Sequence, residues 1–134
     1  MSKALKPFNQ GQWTVARKRS FIMSALRRAQ WPVKYAALKL AYVSDGINPA
    51  TGRKCKLHKC FECDELFPAK DMRADHIKPI VPVTGFDSWD AVIERLFCEI
   101  EGFQALCVDC HAIKTKAENA ERKENKSKLN TLKH

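Results

Sequence analysis

The sequence predicts an α+β protein in which a basic helical segment precedes a small core of short strands and helices. Three observations support this fold class. Positive charge is concentrated at the two ends of the 134-residue chain, the middle alternates extended pieces with proline-containing turns, and two Cys-x-x-Cys pairs stand 43 residues apart. A chain of this length suits one domain or a small core with appendages.

Charge divides the chain into three parts. Residues 1–59 contain thirteen Lys and Arg residues and one acid, Asp45, for a net charge of +12. Residues 60–113 contain four basic and eleven acidic residues, for a net charge of −7, and residues 114–134 contain seven and three, for +4. Basic flanks around an acidic middle are expected where the flanks bind a polyanion and the carboxylates gather around metal. The charge pattern therefore predicts a polyanionic partner, such as a nucleic acid.

The compartment follows from what the sequence lacks. No apolar run approaches the roughly 18 residues of a membrane span. The N-terminal residues MSKALKPFNQ also lack the apolar centre of a signal peptide. We therefore predict a cytoplasmic protein with no membrane partner, and the sequence indicates no oligomeric state. Thiols stay reduced in that compartment, so the cysteine pairs are expected to bind metal rather than form disulfides.

The first segment, residues 1–54, predicts two helices and a linker. Thr14 is a plausible N-cap for the first helix, and Pro32 fits the first turn of a second helix that ends near Val43. The turn-rich stretch DGINPATGRK, residues 45–54, predicts a linker. A solvated helical hairpin is the alternative, but ordinary soluble helices mix both signs of charge. We therefore predict that the basic side chains of the first helix contact DNA: Arg17, Lys18, Arg19, Arg27 and Arg28.

The remaining residues predict a core over 55–118 and a tail. Pro68, Pro79 and Pro82 exclude a long helix between residues 60 and 82, so short strands are expected there. The stretch DSWDAVIERLFCEIEG predicts a helix with Asp87 as its cap; its apolar stripe favours core packing, and docking onto a partner protein is the alternative. A strand at residues 103–106 then leads into a last helix from about residue 108. Residues 119–134 predict a basic tail that frays, because few apolar residues offset its ordering entropy.

The two cysteine pairs predict a structural zinc site. Cys60 with Cys63, and Cys107 with Cys110, have the spacing of two metal-binding knuckles. Four thiolates leave no open coordination position, so such a zinc would be structural rather than catalytic. Cys55 and Cys98 lack this spacing and are expected to be ordinary thiols, and His58 is an alternative zinc ligand near the first pair.

A second candidate site is the adjacent pair Asp75 and His76 in ADHIKPIVP. A carboxylate can hold a hard cation while a neighbouring imidazole accepts a proton from water. Successive strand residues face opposite sides, so both side chains can serve one site only where the strand ends or bends. Lys78, Pro79 and Pro82 predict such an ending.

The chain resembles the HNH endonuclease family over residues 60–116. The resemblance rests on CFEC, on ADHIKP and on the stretch QALCVDCHAIKT, and it extends to the small zinc-stapled HNH proteins that many phages encode. It implies a ββα-metal fold and a metal-dependent DNA endonuclease or nickase that hydrolyses phosphodiester bonds. His76 would be the general base, and Asp75 and His111 would bind a catalytic Mg²⁺, Mn²⁺ or Zn²⁺. A phage origin would place the protein in the bacterial host cell.

The resemblance leaves alternatives open at the second cysteine pair. Neighbouring helical residues point about 100° apart, so Cys110 can face the zinc while His111 faces His76. Alternatively, His111 itself binds the zinc and one cysteine is left out. Lys114 and Thr115 lie on the His111 face, where they either contact phosphate or remain solvated.

Gly102 departs from the family pattern. It stands where the family usually has an asparagine, which braces the metal loop through hydrogen bonds, and Glu99 or Glu101 could compensate. The glycine favours a second hypothesis, a zinc-stapled nucleic-acid-binding module without catalysis. The presence of Asp75, His76 and His111 together favours the enzyme.

Overall fold

The computed structural model describes residues 4–132 and divides the chain into an N-terminal unit, Met1–Trp31, and a C-terminal unit, Pro32–His134. The boundary between the units falls between Trp31 and Pro32, at the start of the second helix. In the N-terminal unit, helix α1 spans Val15–Ala29. The Thr14 hydroxyl accepts a hydrogen bond from the Arg17 amide at 3.1 Å, which confirms the predicted cap.

A three-stranded antiparallel sheet follows helix α2 (Trp31–Leu40). Its strands β1 (Tyr42–Ile47), β2 (Lys54–Lys59) and β3 (Leu66–Pro68) are hydrogen-bonded in that order. Two predictions were wrong here: the second helix ends at Leu40 rather than near Val43, and the expected linker is the hairpin between β1 and β2. Asn48 builds the turn by accepting from the Ala50 amide, and Gly52 supplies the positive φ of 72° that the turn needs.

A second, two-stranded sheet precedes the last helix. Strands β4 (Met72–His76) and β5 (Phe103–Cys107) pair antiparallel, which places Asp75 opposite Gln104 and His76 opposite Phe103. Strand β4 ends at His76, where the prolines predicted an ending. Helix α4 (Val108–Leu132) begins directly after β5, so the predicted strand at 103–106 and the predicted start of the helix are both confirmed.

Two helical predictions need correction. Helix α3 spans Trp89–Leu96, and its cap is Ser88 rather than Asp87; the predicted helix to residue 102 is interrupted before a short 3₁₀ turn at Ile100–Gly102. The Asp87 carboxylate accepts from the Ser88 amide and from Arg95 instead. The tail predicted to fray is helical through Leu132, and its last residues, 133 and 134, lie outside the described residues.

The core of the C-terminal unit lies where the two sheets meet the cysteine pairs. Its buried residues are Cys60, Met72, Ala105, Leu106 and Cys107. On α3, Val92 and Leu96 are fully buried, as the apolar stripe predicted, whereas Ile93 and Phe97 are about two-fifths exposed. None of the helices within residues 4–132 is both long and apolar enough to cross a membrane.

Candidate metal centre and candidate active site

Four cysteines converge in the C-terminal unit. Within residues 4–132, the sulfur atoms of Cys60, Cys63, Cys107 and Cys110 all lie within 4.8 Å of one another. Ligands of one zinc at about 2.3 Å in tetrahedral geometry are separated by about 3.8 Å, so the cluster can hold such an ion. His111 and His58 do not belong to this group, so the structure favours the four-cysteine ligand set over either histidine alternative.

The backbone around the cysteines brings the two pairs together. Cys60 follows β2 in a tight turn in which its carbonyl accepts from the Asp64 amide, and Asp64 adopts a positive φ of 62°. The Phe61 amide donates to the Ala105 carbonyl at 2.8 Å, which ties this turn to β5. Cys107 ends β5 and Cys110 lies in the first turn of α4.

Backbone amide groups also donate hydrogen bonds to the cysteine sulfurs, which favours the thiolate form that binds a cation. The Cys107 amide donates to Cys60 Sγ at 3.3 Å, and the Cys110 amide donates to Cys107 Sγ at 3.4 Å. Burial raises the pKa of Cys60, but amide hydrogen bonds, the first from Cys63, outweigh burial and lower it to about 7. The Cys107 sulfur, followed by burial, raises the pKa of Cys110. Crowded thiols therefore resist ionising together unless a cation compensates their charge.

Asp75 and His111 form a second pair of possible metal ligands. The Asp75 Oδ1 atom lies 3.6 Å from His111 Nε2, and the Asp75 side chain is 17% exposed. The antiparallel register pairs Asp75 with Gln104 near the start of β5, whereas α4 begins after Cys107 at the other end of that strand. The first turns of α4 therefore run back along the strand pair, and they bring His111, one turn into the helix, next to Asp75. Two atoms that bind one small divalent cation at about 2.0–2.2 Å are about 3 to 3.6 Å apart, so these two can share such a cation.

The other oxygen of Asp75 is held by the protein. Gln104 Nε2 donates to Asp75 Oδ2 at 3.2 Å, and the Lys114 ammonium donates to the same oxygen and to the His76 carbonyl. Lys114 also pairs with Glu118 at 3.1 Å. Burial alone lowers the pKa of Lys114, but its hydrogen bonds to Asp75 and Glu118 outweigh burial and raise it. These bonds orient the carboxylate so that Oδ1 faces His111.

The His76 side chain contacts residues of α3 and β5. Its Nε2 lies 2.9 Å from the Leu96 carbonyl at the end of α3, and its ring packs against Phe103 in a tilted arrangement, with centroids 4.4 Å apart. Because a carbonyl oxygen can only accept, Nε2 must carry a proton, and Nδ1 of the neutral ring is the nitrogen with a lone pair. The residue is 6% exposed, which fixes the ring in one orientation.

The predicted DNA contacts lie in different surroundings. On α1, Arg17, Arg27 and Arg28 are exposed, and Lys18 and Arg19 are half-buried. Arg17 and Lys18 lie over the rings of Phe21 and Phe8, at 5.3 and 3.8 Å from the ring centroids. The Lys114 side chain is about a quarter exposed, and its ammonium contacts two carboxylates and a carbonyl. Thr115 is exposed on α4.

Gly102 has a local packing explanation. A Cβ built at this residue would clash with the Cys98 sulfur and would lie 3.1 Å from the Cys98 Cβ. Its carbonyl accepts from the Ile77 amide at 2.9 Å, directly after His76. A side chain at residue 102, such as an asparagine, would therefore require the Cys98 side chain to move. The glycine carbonyl still holds the residue that follows His76. Burial raises the pKa of Cys98, as expected for an unreactive thiol.

Sequence reasoning missed two members of the Asp75 site. Gln104 is opposite Asp75 in the strand register, which becomes known only once β4 and β5 are paired. Glu118 stands four residues after Lys114, and that spacing is a signal readable from the sequence. Glu99 and Glu101 are the residues that could compensate for the absent asparagine. Glu99 precedes the 3₁₀ turn before β5, Glu101 lies within it, and both are exposed.

The fold and the cysteine cluster define a small α+β protein that can hold a structural metal ion. Comparisons with protein-family models, with curated proteins and with solved structures yield no match to this chain.

Proposed function

We propose that this protein is a metal-dependent endonuclease or nickase of the HNH type that hydrolyses phosphodiester bonds in DNA. The observation that carries the proposal is the convergence of Asp75, on a strand pair, with His111, on the helix that follows it; their side-chain atoms are 3.6 Å apart. The order strand, strand, helix supports the proposal, because the resemblance implies the same order.

Asp75 and His111 are the residues that would hold the catalytic cation. Oxygen and imidazole ligands suit Mg²⁺, Mn²⁺ or Zn²⁺. Such an ion supplies neutralisation of the charge that develops on the phosphoryl group and on the leaving 3′ oxygen. Lys114 and Gln104 keep Asp75 Oδ2 engaged, which leaves Oδ1 and His111 Nε2 to act as ligands.

His76 is proposed to act as the general base. The Leu96 carbonyl fixes the Nε2–H tautomer, so Nδ1 is the atom that accepts the proton from the attacking water. Phe103 packs against the ring and limits its rotation. Helix α3 therefore contributes to the reaction by orienting the base through one backbone carbonyl.

The cysteine cluster is proposed to bind a structural Zn²⁺. The two cysteine pairs join β2 to the junction of β5 and α4, and the same junction carries His111. A metal held by all four sulfurs would therefore fix the start of α4 and, with it, the position of His111 relative to Asp75. We expect the zinc to support the active site without taking part in the reaction.

The basic residues of α1 are proposed to bind the DNA backbone. The acidic residues 60–113, at −7, repel phosphate, so the attraction must come from elsewhere in the chain. Residues 1–59 carry +12, and α1 has five Lys and Arg residues among its fifteen. Contacts of this kind position the protein on DNA but read little sequence.

One observation favours a second candidate function, a nucleic-acid-binding module without catalysis. The Lys114 ammonium already provides Asp75 with a cation. A site stabilised in this way does not require a divalent metal in order to fold. In that case Asp75 and His111 would be structural, and the protein would bind DNA without cutting it.

The test is cleavage of supercoiled plasmid by the zinc-loaded protein with added Mg²⁺ or Mn²⁺. We expect nicked or linear product that disappears with EDTA and with Asp75→Asn. Asp109→Asn is the matched control, because Asp109 is an exposed carboxylate two residues before His111. Plasmid that is bound but never cut by the parent protein would reject the enzyme in favour of the binding module.

A further inference from the structure

One face of α4 carries a continuous row of polar side chains. Lys114, Glu118, Arg122 and Asn125 are separated by four, four and three residues, which places them on the same side of a helix. Glu118 pairs with Lys114 at 3.1 Å and with Arg122 at 3.7 Å. The row therefore runs without a break from Asp75, which Lys114 contacts, into the part of the helix that the sequence predicted to fray.

The far end of this row contacts the segment that follows His76. Arg122 Nη2 donates to the Val81 carbonyl at 3.0 Å, and Asn125 Nδ2 donates to the Val83 carbonyl, also at 3.0 Å. Arg95 on α3 donates to the Ile80 carbonyl at 2.7 Å. Three side chains from two helices thus hold three carbonyls within four residues.

The chemistry of the segment explains why it needs these donors. Residues 77–86 make up most of the connection from β4 to α3 and have no regular secondary structure. Pro79 and Pro82 have no N–H group that could form strand hydrogen bonds. Backbone carbonyls that leave water require donors from elsewhere. Arginine and asparagine side chains supply those donors here.

The row differs from ordinary pairs on the surface of the same helix. The side chains of Lys114, Glu118 and Arg122 are 26%, 21% and 35% exposed. The Lys128–Glu124 pair, with the same spacing type, is 68% and 65% exposed. Exposed pairs of that kind contribute little to stability, whereas the row joins α4 to another part of the fold.

We infer that Arg122 and Asn125 are positioning residues, which hold the segment after His76 so that His76 and Asp75 keep their places. The inference rests on the proposed function. The resemblance assigns the bracing of the metal loop to an asparagine; here that position is Gly102, where the Cys98 side chain occupies the adjacent space. In this chain, side chains in the second half of α4 hold the segment after His76 instead. Residues 119–125 therefore belong to the proposed nuclease core and not to a tail.

The experiment compares two isosteric substitutions on one helix. Asn125→Asp replaces the amide that donates to Val83 with a carboxylate that repels the carbonyl. Asn130→Asp makes the same change of charge at an exposed position five residues further along. Both variants are examined for hydrogen exchange in residues 77–86, for duplex affinity, and for kcat at saturating duplex with Mn²⁺.

Relative to Asn130→Asp, we expect Asn125→Asp to speed hydrogen exchange of the Gly85 amide and its neighbours. We also expect it to lower kcat by about tenfold or more, because small misplacements at a reacting centre carry large rate penalties. Duplex affinity should be equal in the two variants. Arg122→Lys, which keeps a donor, should retain more activity than Arg122→Met, and this pair decides the matter if Asn125→Asp does not fold.

Equal exchange and equal kcat in the two aspartate variants would overturn the inference, as would faster exchange without any loss of kcat. If the parent protein cuts no DNA, the proposed function fails, but the exchange measurement still decides whether Asn125 holds the segment. The two failures are therefore distinguishable.

Discussion

Gly102 illustrates, at the scale of one residue, how a departure from a family pattern can have a packing cause. The Cys98 sulfur occupies the space that a side chain at Gly102 would need. The glycine carbonyl meanwhile holds the Ile77 amide, next to the proposed base. The sequence shows a glycine where the resemblance implies an asparagine. Only the structure shows that Cys98 and Gly102 form a matched pair, in which the small residue makes room for the cysteine side chain.

Substitution at Gly102 should therefore depend on residue 98. We expect Gly102→Ala to lower the free energy of unfolding by about 1–3 kcal/mol, the usual cost of overpacking. Cys98→Ala should relieve much of that loss, because the clash with the sulfur disappears. The relief should be incomplete, because the contact at 3.1 Å with the Cβ of residue 98 remains. Urea denaturation of the four proteins in a double-mutant cycle measures the coupling, and strictly additive effects would contradict the matched pair.

At the scale of single elements, the cysteine spacing and the apolar stripe of α3 were readable from the sequence, and the hairpin and the length of α4 were not. The stretch NPATG within residues 45–54 indicates a turn, but strand pairing decides whether a turn joins two strands or two domains. Helix α4 has a polar row whose partners are loop carbonyls, so apolar periodicity, the usual signal for a packed helix, misses it.

Helix α3 links folding to the proposed base, because its last residue, Leu96, accepts the hydrogen bond from His76. The Ser88 hydroxyl accepts from the Ala91 amide at 3.2 Å and caps this helix. We expect Ser88→Ala to lower the free energy of unfolding by about 1 kcal/mol, and Ser88→Asp, which keeps a capping oxygen, to stay near the parent protein. Equal stability of the alanine and aspartate variants in urea denaturation would contradict this assignment of the cap.

At the scale of the whole molecule, a metal held by the four cysteines would close a long loop of the chain. The sulfurs of the two pairs converge although 43 residues separate Cys63 from Cys107 in sequence. Binding of this kind contributes on the order of 10 kcal/mol to folding. We expect one zinc per chain by elemental analysis, and loss of the folded C-terminal unit on chelation or in Cys107→Ser. Cys55→Ser, outside the cluster, is the control, and a folded protein without zinc would contradict the prediction.

The N-terminal unit should govern how the protein responds to salt. Deleting residues 1–50 would remove β1, which pairs with β2, so substitutions on α1 are the cleaner test. If four or five of its five basic residues contact phosphates, replacing Arg17, Lys18, Arg19, Arg27 and Arg28 with Gln should flatten the slope of log affinity against log salt by about 4. An unchanged slope would mean that the basic residues of α4 bind DNA instead.

The most direct measurement is the cleavage rate of His76→Ala beside its affinity for DNA, with zinc and Mn²⁺ matched to the parent protein. Removing the base while Asp75, His111 and the cysteines remain should lower kcat by about two orders of magnitude or more. Duplex affinity should stay the same, because α1 is unaltered. A His76→Ala protein that binds DNA and cuts it as fast as the parent would contradict the proposed active site.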